Sequence, residues 1–154
     1  MTALWPYALT IYDRPGVQPL LLALQEAHGQ CVPLLLWALW MSAEGRSAEP
    51  GAAAQAAEMA RAWQDAAIAP LRALRRQLKG PAGPGSPARR QQLRGGVQAL
   101  ELEAERLLLE MLEEASPDAL GAADPQAWLA LAAASWGGEA PTDKLDQLAA
   151  LAAS

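Results

Sequence analysis

The chain has 154 residues, 52 % hydrophobic and 19 % charged, with a formal net charge of −5 at pH 7. That is enough length for one domain with a real core, and too apolar a balance for general disorder. A single Cys excludes an internal disulfide and favours a reducing compartment; the longest apolar run, Cys31 to Met41, has 11 residues, well short of the roughly 20 a spanning helix needs.

The N-terminus, MTALWPYALTIYDRPG, has no basic leader region and carries Pro6 and Asp13, so it does not read as a signal peptide; a cytoplasmic location is expected. Strand signals are nearly absent and helical spacing runs throughout. Trp5, Ala8, Leu9 and Tyr12 form one stripe of a short first helix, which Asp13-Arg14-Pro15-Gly16 breaks. Val17, Leu20, Leu21, Leu24 and His28 share a face of the second helix, and Gly29 sits where a left-handed residue ends it. Pro33 opens a third helix, LLLWALWM, apolar on every side and therefore the expected centre of the fold. Residues 42–51, SAEGRSAEPG, read as a polar linker.

A long helix is expected over about 52–79, with Met59, Trp63, Ala67, Leu71, Leu74 and Leu78 as its seam and a kink at Pro70. GPAGPGSPA, 80–88, is a loop in which Ser86-Pro87 caps the next helix. That helix reaches about 115, and Leu93, Val97, Leu100, Ala104, Leu107 and Met111 are spaced as in a coiled-coil seam. Two such helices on one short loop predict an antiparallel hairpin. From Ser116 onward an Ala-rich tail carries two more short helical patterns, one with Trp128, Leu131 and Trp136, the other with Leu145, Leu148 and Leu151.

YxRPGV at 12–17, LQxxHGxxVxLLLxxLW at 24–40, and the segments PLRALRRQLK and VQALELEAERLLLEML together resemble a family of small, uncharacterised proteobacterial proteins defined only as a domain of unknown function. The resemblance spans about residues 4–114 and implies a soluble bacterial protein, without an activity, cofactor or catalytic residue. The abundance of Ala, Arg, Gly and Pro fits codon use in a GC-rich genome.

Three groups of residues are candidates for chemistry. His28 and Cys31 are the only His and Cys of the chain. They supply two ligands where a structural zinc site takes four, so they are read as a packing corner. Tyr12, Arg14 and His28 come to one pole if the first two helices are antiparallel, a candidate corner for a small anion; the plainer alternative is a solvated turn. Arg72, Arg75, Arg76, Lys79, Arg89, Arg90 and Arg94 give seven cations with no acid among them, followed by seven acids from Glu101 to Asp118 against Arg106 alone. The hairpin gathers the cations at its tip, a candidate patch for an anionic partner. The tryptophans fall on apolar stripes and read as core. No P-loop, dinucleotide fingerprint, HExxH or EF-hand motif occurs.

The resulting expectation is all-α: a three-helix unit at 4–43 packed on a helical hairpin at 52–115, one domain over 1–115, and a helical tail at 116–154. The preferred function is a non-catalytic cytoplasmic adaptor or regulator acting through protein contacts, with no metal or cofactor. The alternative is an RNA- or ribosome-associated factor using the basic tip. Third comes an enzyme or ligand binder at Arg14, His28 and Cys31.

Overall fold

A helix without a polar stripe must be wrapped by others, and that fixes the place of Val32–Ala43 (α3). Every residue from Pro33 to Ser42 is buried. The computed structural model describes residues 2–80 and 83–154, so Pro81 and Ala82 of the loop expected at 80–88 lie outside the described residues. Among the described residues, eight α-helices and one π-helical turn form, and the β pairing is a single isolated bridge. The protein is all-α.

In α1 (Leu4–Tyr12) the buried residues are Leu4, Ala8 and Ile11, while Leu9 and Tyr12 are exposed. The expected stripe is thus rotated, because a nine-residue helix with apolar groups on two sides has no intrinsic preference between them. The buried face of α2 (Val17–His28) runs through Val17, Leu20, Leu21 and Leu24, as its periodicity predicts. Gly29 ends it in the left-handed region, φ 62°, with its N–H donating to the Leu24 carbonyl.

The long helix before the loop is interrupted. It comprises α4 (Pro50–Trp63), a π turn (Gln64–Ile68) and α5 (Ala69–Gln77). Pro70 has no N–H for the Ala66 carbonyl and its ring crowds that group, so the widened turn is the form the kink takes. The seam of α4 is made of small residues, Ala53, Ala56, Ala57 and Ala60, with Ile68 buried in the π turn. Met59, Trp63, Ala67 and Leu71 are only partly buried and Leu74 is exposed. The expected seam is corrected accordingly.

The long helix α6 (Pro87–Ala115) begins at Ser86, whose Oγ accepts from the Arg89 N–H, and packs on α5 as the expected hairpin. Its buried face runs through Val97, Glu101, Ala104, Leu108 and Leu112. Leu93, Leu100 and Leu107, half of the coiled-coil seam read from the sequence, are 58 %, 58 % and 42 % exposed. Gly95 and Gly96 lie in this helix with open space where a Cβ would stand. Against two alanines they cost about 2 kcal/mol of helix stability with no gain inside the chain.

The tail is part of the core. α7 (Pro125–Trp136) packs on α3 and α4, and Trp128, Leu129 and Ala132 are fully buried. Trp37 and Trp128 meet edge to face at 5.3 Å. The segment expected to be a polar linker is a built corner: Gly121 N–H donates to the Gly45 carbonyl and Ser47 N–H to that of Ala119. Arg46 is 5 % exposed, donates to the Pro117 carbonyl at 2.9 Å, and lies over Trp40. The last helix, α8 (Thr142–Ala153), packs on α2 and α7.

Five indoles tie distant segments together. Trp37 donates to Ser116 Oγ, Trp40 to the Thr2 carbonyl, Trp63 to that of Ala104, Trp128 to that of Arg46 and Trp136 to that of Gly29. Both Trp37 and Trp40 are 1 % exposed.

Candidate functional site

Where the three-helix unit meets the hairpin, the two do not close completely. A groove of about 230 Å³ remains between α1, α2 and the start of α3 on one side and α5 with α6 on the other. Its apolar wall carries Leu9, Tyr12 and Leu22, and Leu102 adds an apolar group from the α6 side; each is at least 40 % exposed. These are four of the nine large hydrophobic side chains left exposed among the described residues, gathered in one place. Exposed apolar residues scattered singly need no explanation; a cluster around a cleft does.

The opposite wall is ionic. Arg72 and Arg75 on α5, one turn apart, face Glu101 on α6. Glu101 accepts from Arg75 Nε at 2.6 Å and from Arg72 Nε at 3.1 Å, and Arg72 also reaches Glu105 at 3.6 Å. Burial pushes the Glu101 carboxyl up, but the hydrogen bonds from Arg75 and Arg72 outweigh it and hold the group below the usual carboxylate range. Glu105 goes the other way: burial raises it, and the more distant guanidiniums only partly offset that. Arg75 is held charged by its hydrogen bond to Glu101. Two cations and two carboxylates compensate one another, so the wall is polar yet carries no formal charge excess. Exposed Arg76 pairs with Glu26, joining α5 to α2, at 3.7 Å.

The seven cations therefore do not form one free patch. Arg72 and Arg75 line the groove, Arg76 pairs with Glu26, and Arg90 donates to the Gly80 carbonyl at 2.8 Å. The Nε of Arg94 is buried without a partner among the described residues. Lys79 and Arg89 are exposed at the tip, and no side-chain ion pair forms on either among the described residues.

The second candidate group is dispersed, because Tyr12 and Arg14 adjoin the start of α2 whereas His28 lies at its far end. Tyr12 lines the groove. Arg14 instead points at the end of α8, where Nη1 donates to the carbonyls of Leu151 and Ala152, a cation placed at a helix C-terminus. His28 ends α2, next to the segment that holds α7: Gly29 accepts from Trp136 and Gln30 donates to the Gly137 carbonyl at 2.9 Å. Cys31 is 5 % exposed, and burial pushes its thiol up to about 11, the reverse of what activates a nucleophile. The corner HGQC is a dock for the C-terminal helices. No group of three or more metal-ligating side chains gathers among the described residues.

Glu101 and Glu105 escaped the sequence reading, as did the apolar wall. Two signals were present: Val97, Glu101, Ala104 and Leu108 share helical phase, and an Arg pair spaced i, i+3 on one arm of a hairpin matches a Glu pair spaced i, i+4 on the other.

Fold and groove define a small all-helical protein with an open cleft between two packed helical units. The chain belongs to a family of proteins of unknown function, DUF2390, whose model matches residues 3–112. No curated protein and no solved structure matches it. No helix among the described residues is long and apolar enough to cross a membrane.

Proposed function

We propose that the protein is a non-catalytic cytoplasmic adaptor or regulator, and that the groove between its two helical units receives an apolar segment of a partner protein. The observation that carries this reading is the convergence of Leu9, Tyr12, Leu22 and Leu102 on one cleft. At about 230 Å³ the cleft is smaller than the roughly 300–1,000 Å³ of typical small-molecule sites. It suits one or two side chains of a docking segment, with backbone groups of that segment meeting the Arg72–Glu101 wall. A photo-crosslinking residue at position 22 should capture a discrete protein from a bacterial lysate, and Leu102→Glu should abolish the capture while leaving thermal unfolding unchanged. Capture that survives Leu102→Glu places the partner elsewhere and removes the groove reading.

A second reading is supported by Lys79 and Arg89, exposed cations on a stretch free of acids from 66 to 100. It makes the tip a contact for RNA or the ribosome. Under it, nuclease treatment removes the captured material and Arg89→Glu prevents its recovery, with a steep salt dependence. Under the adaptor reading neither treatment matters.

A further inference from the structure

The exposed apolar side chains outside the groove have an order of their own. Leu93, Leu100 and Leu107 are seven residues apart, so they form one stripe along the outer flank of α6, about 21 Å long at 1.5 Å per residue. Exposed Leu74 stands 200° around α5 from the groove-lining Arg72, on the flank turned away from the groove. Gly96 lies within the stripe, exposed, and its missing side chain serves no contact in the chain. The helix is also divided in charge: Arg89, Arg90 and Arg94 before Leu100, six glutamates against Arg106 after it.

We propose that this face binds a second copy of the chain, α6 against α6, antiparallel about a two-fold axis at Leu100. A two-fold interface must be self-complementary, and this stripe is. Leu93 and Leu107 are equidistant from Leu100, so Leu93 meets Leu107 of the partner subunit and the central leucines meet each other. Arg89, exposed at one end of the stripe, comes opposite Glu110 and Glu114 of the partner subunit, twice over. A parallel arrangement would set Arg89 against itself and glutamates against glutamates. Gly96 lets the two backbones approach where a side chain would hold them apart.

Sedimentation over a concentration series tests this. The wild type associates to a dimer; Leu100→Glu is monomeric with unchanged helical content by circular dichroism, since the site is exposed, and Leu100→Ala weakens the dimer as a milder second variant. Arg89→Glu weakens association by about tenfold, two attractive pairs becoming repulsive. Under oxidation Leu93→Cys mixed with Leu107→Cys yields a disulfide-linked pair, and neither variant alone does. The groove variant Leu102→Glu remains dimeric, which separates this inference from the groove reading. A wild type that stays monomeric throughout, a dimer that persists in Leu100→Glu, or a disulfide formed by Leu93→Cys alone would each overturn the antiparallel pairing.

Discussion

Glu101 occupies a seam position of α6 where an apolar residue would ordinarily pack, and two guanidiniums depend on it. Removing one member of a mostly buried ion cluster leaves the others unpaired. Glu101→Ala is expected to cost about 3 kcal/mol, the lower end of the usual range because Arg72 and Arg75 keep 16 % and 23 % of their side-chain surface in water; urea unfolding measures it. The same group sets an acid response. Its carboxyl is depressed in the folded protein, so its contribution is complete above the ordinary glutamate value of about 4.3 and is lost as pH falls through the folded value. Glu105 is raised, so its ionisation opposes folding at neutral pH, and that penalty fades on acidification. Over the range from neutral pH into acid, Glu101→Gln should therefore flatten the loss of stability on the acid side of the ordinary glutamate value, and Glu105→Gln should remove an offsetting gain on its alkaline side. Urea midpoints across that range decide both.

At the scale of elements, α8 is held by a side chain from the far end of the chain. Arg14 bonds the Leu151 and Ala152 carbonyls, and Leu151 packs 3.5 Å from where a Cβ on Gly16 would lie. Arg14→Ala removes charge-assisted bonds of about 1.5–3 kcal/mol, so amide exchange in residues 142–153 should quicken well before the rest of the molecule responds. The corner joining 45–47 to 119–121 is tighter still: a Cβ on Gly121 would lie 2.9 Å from that of Ser47 and 3.2 Å from its Cα. Gly121→Ala should lower stability by about 1–3 kcal/mol through overpacking, read as a drop in melting temperature. Caps, breakers and the all-apolar α3 made every helix legible in the sequence. Which face each helix buries was legible only where one stripe was clearly apolar, as in α2. In α1 and α6, two faces carry large hydrophobic residues, and the choice is made by packing between elements distant in sequence. The groove was illegible for the same reason: its walls come from α1, α2, α5 and α6, and no local pattern encodes which leucines a neighbour will leave uncovered.

For the whole molecule, the decisive contact is that of α7 with α3. Trp128 is fully buried against Trp37, and every residue from Pro33 to Ser42 is buried. A chain ending at Ser116 keeps all the residues of the matched family model yet uncovers this surface. It is expected to lose cooperative thermal unfolding and to aggregate, as circular dichroism and size-exclusion chromatography would record.

The order of synthesis gives that contact a temporal meaning. Trp37 leaves the ribosome 91 residues ahead of its partner Trp128, an interval of about 5 to 18 s at usual elongation rates. Throughout that interval the most hydrophobic helix of the protein has no cover for one of its sides, so the nascent chain is a client for whatever shields apolar segments at the tunnel exit. Codon changes that slow translation between residues 44 and 128 should lower the soluble yield without altering a single atom of the folded product.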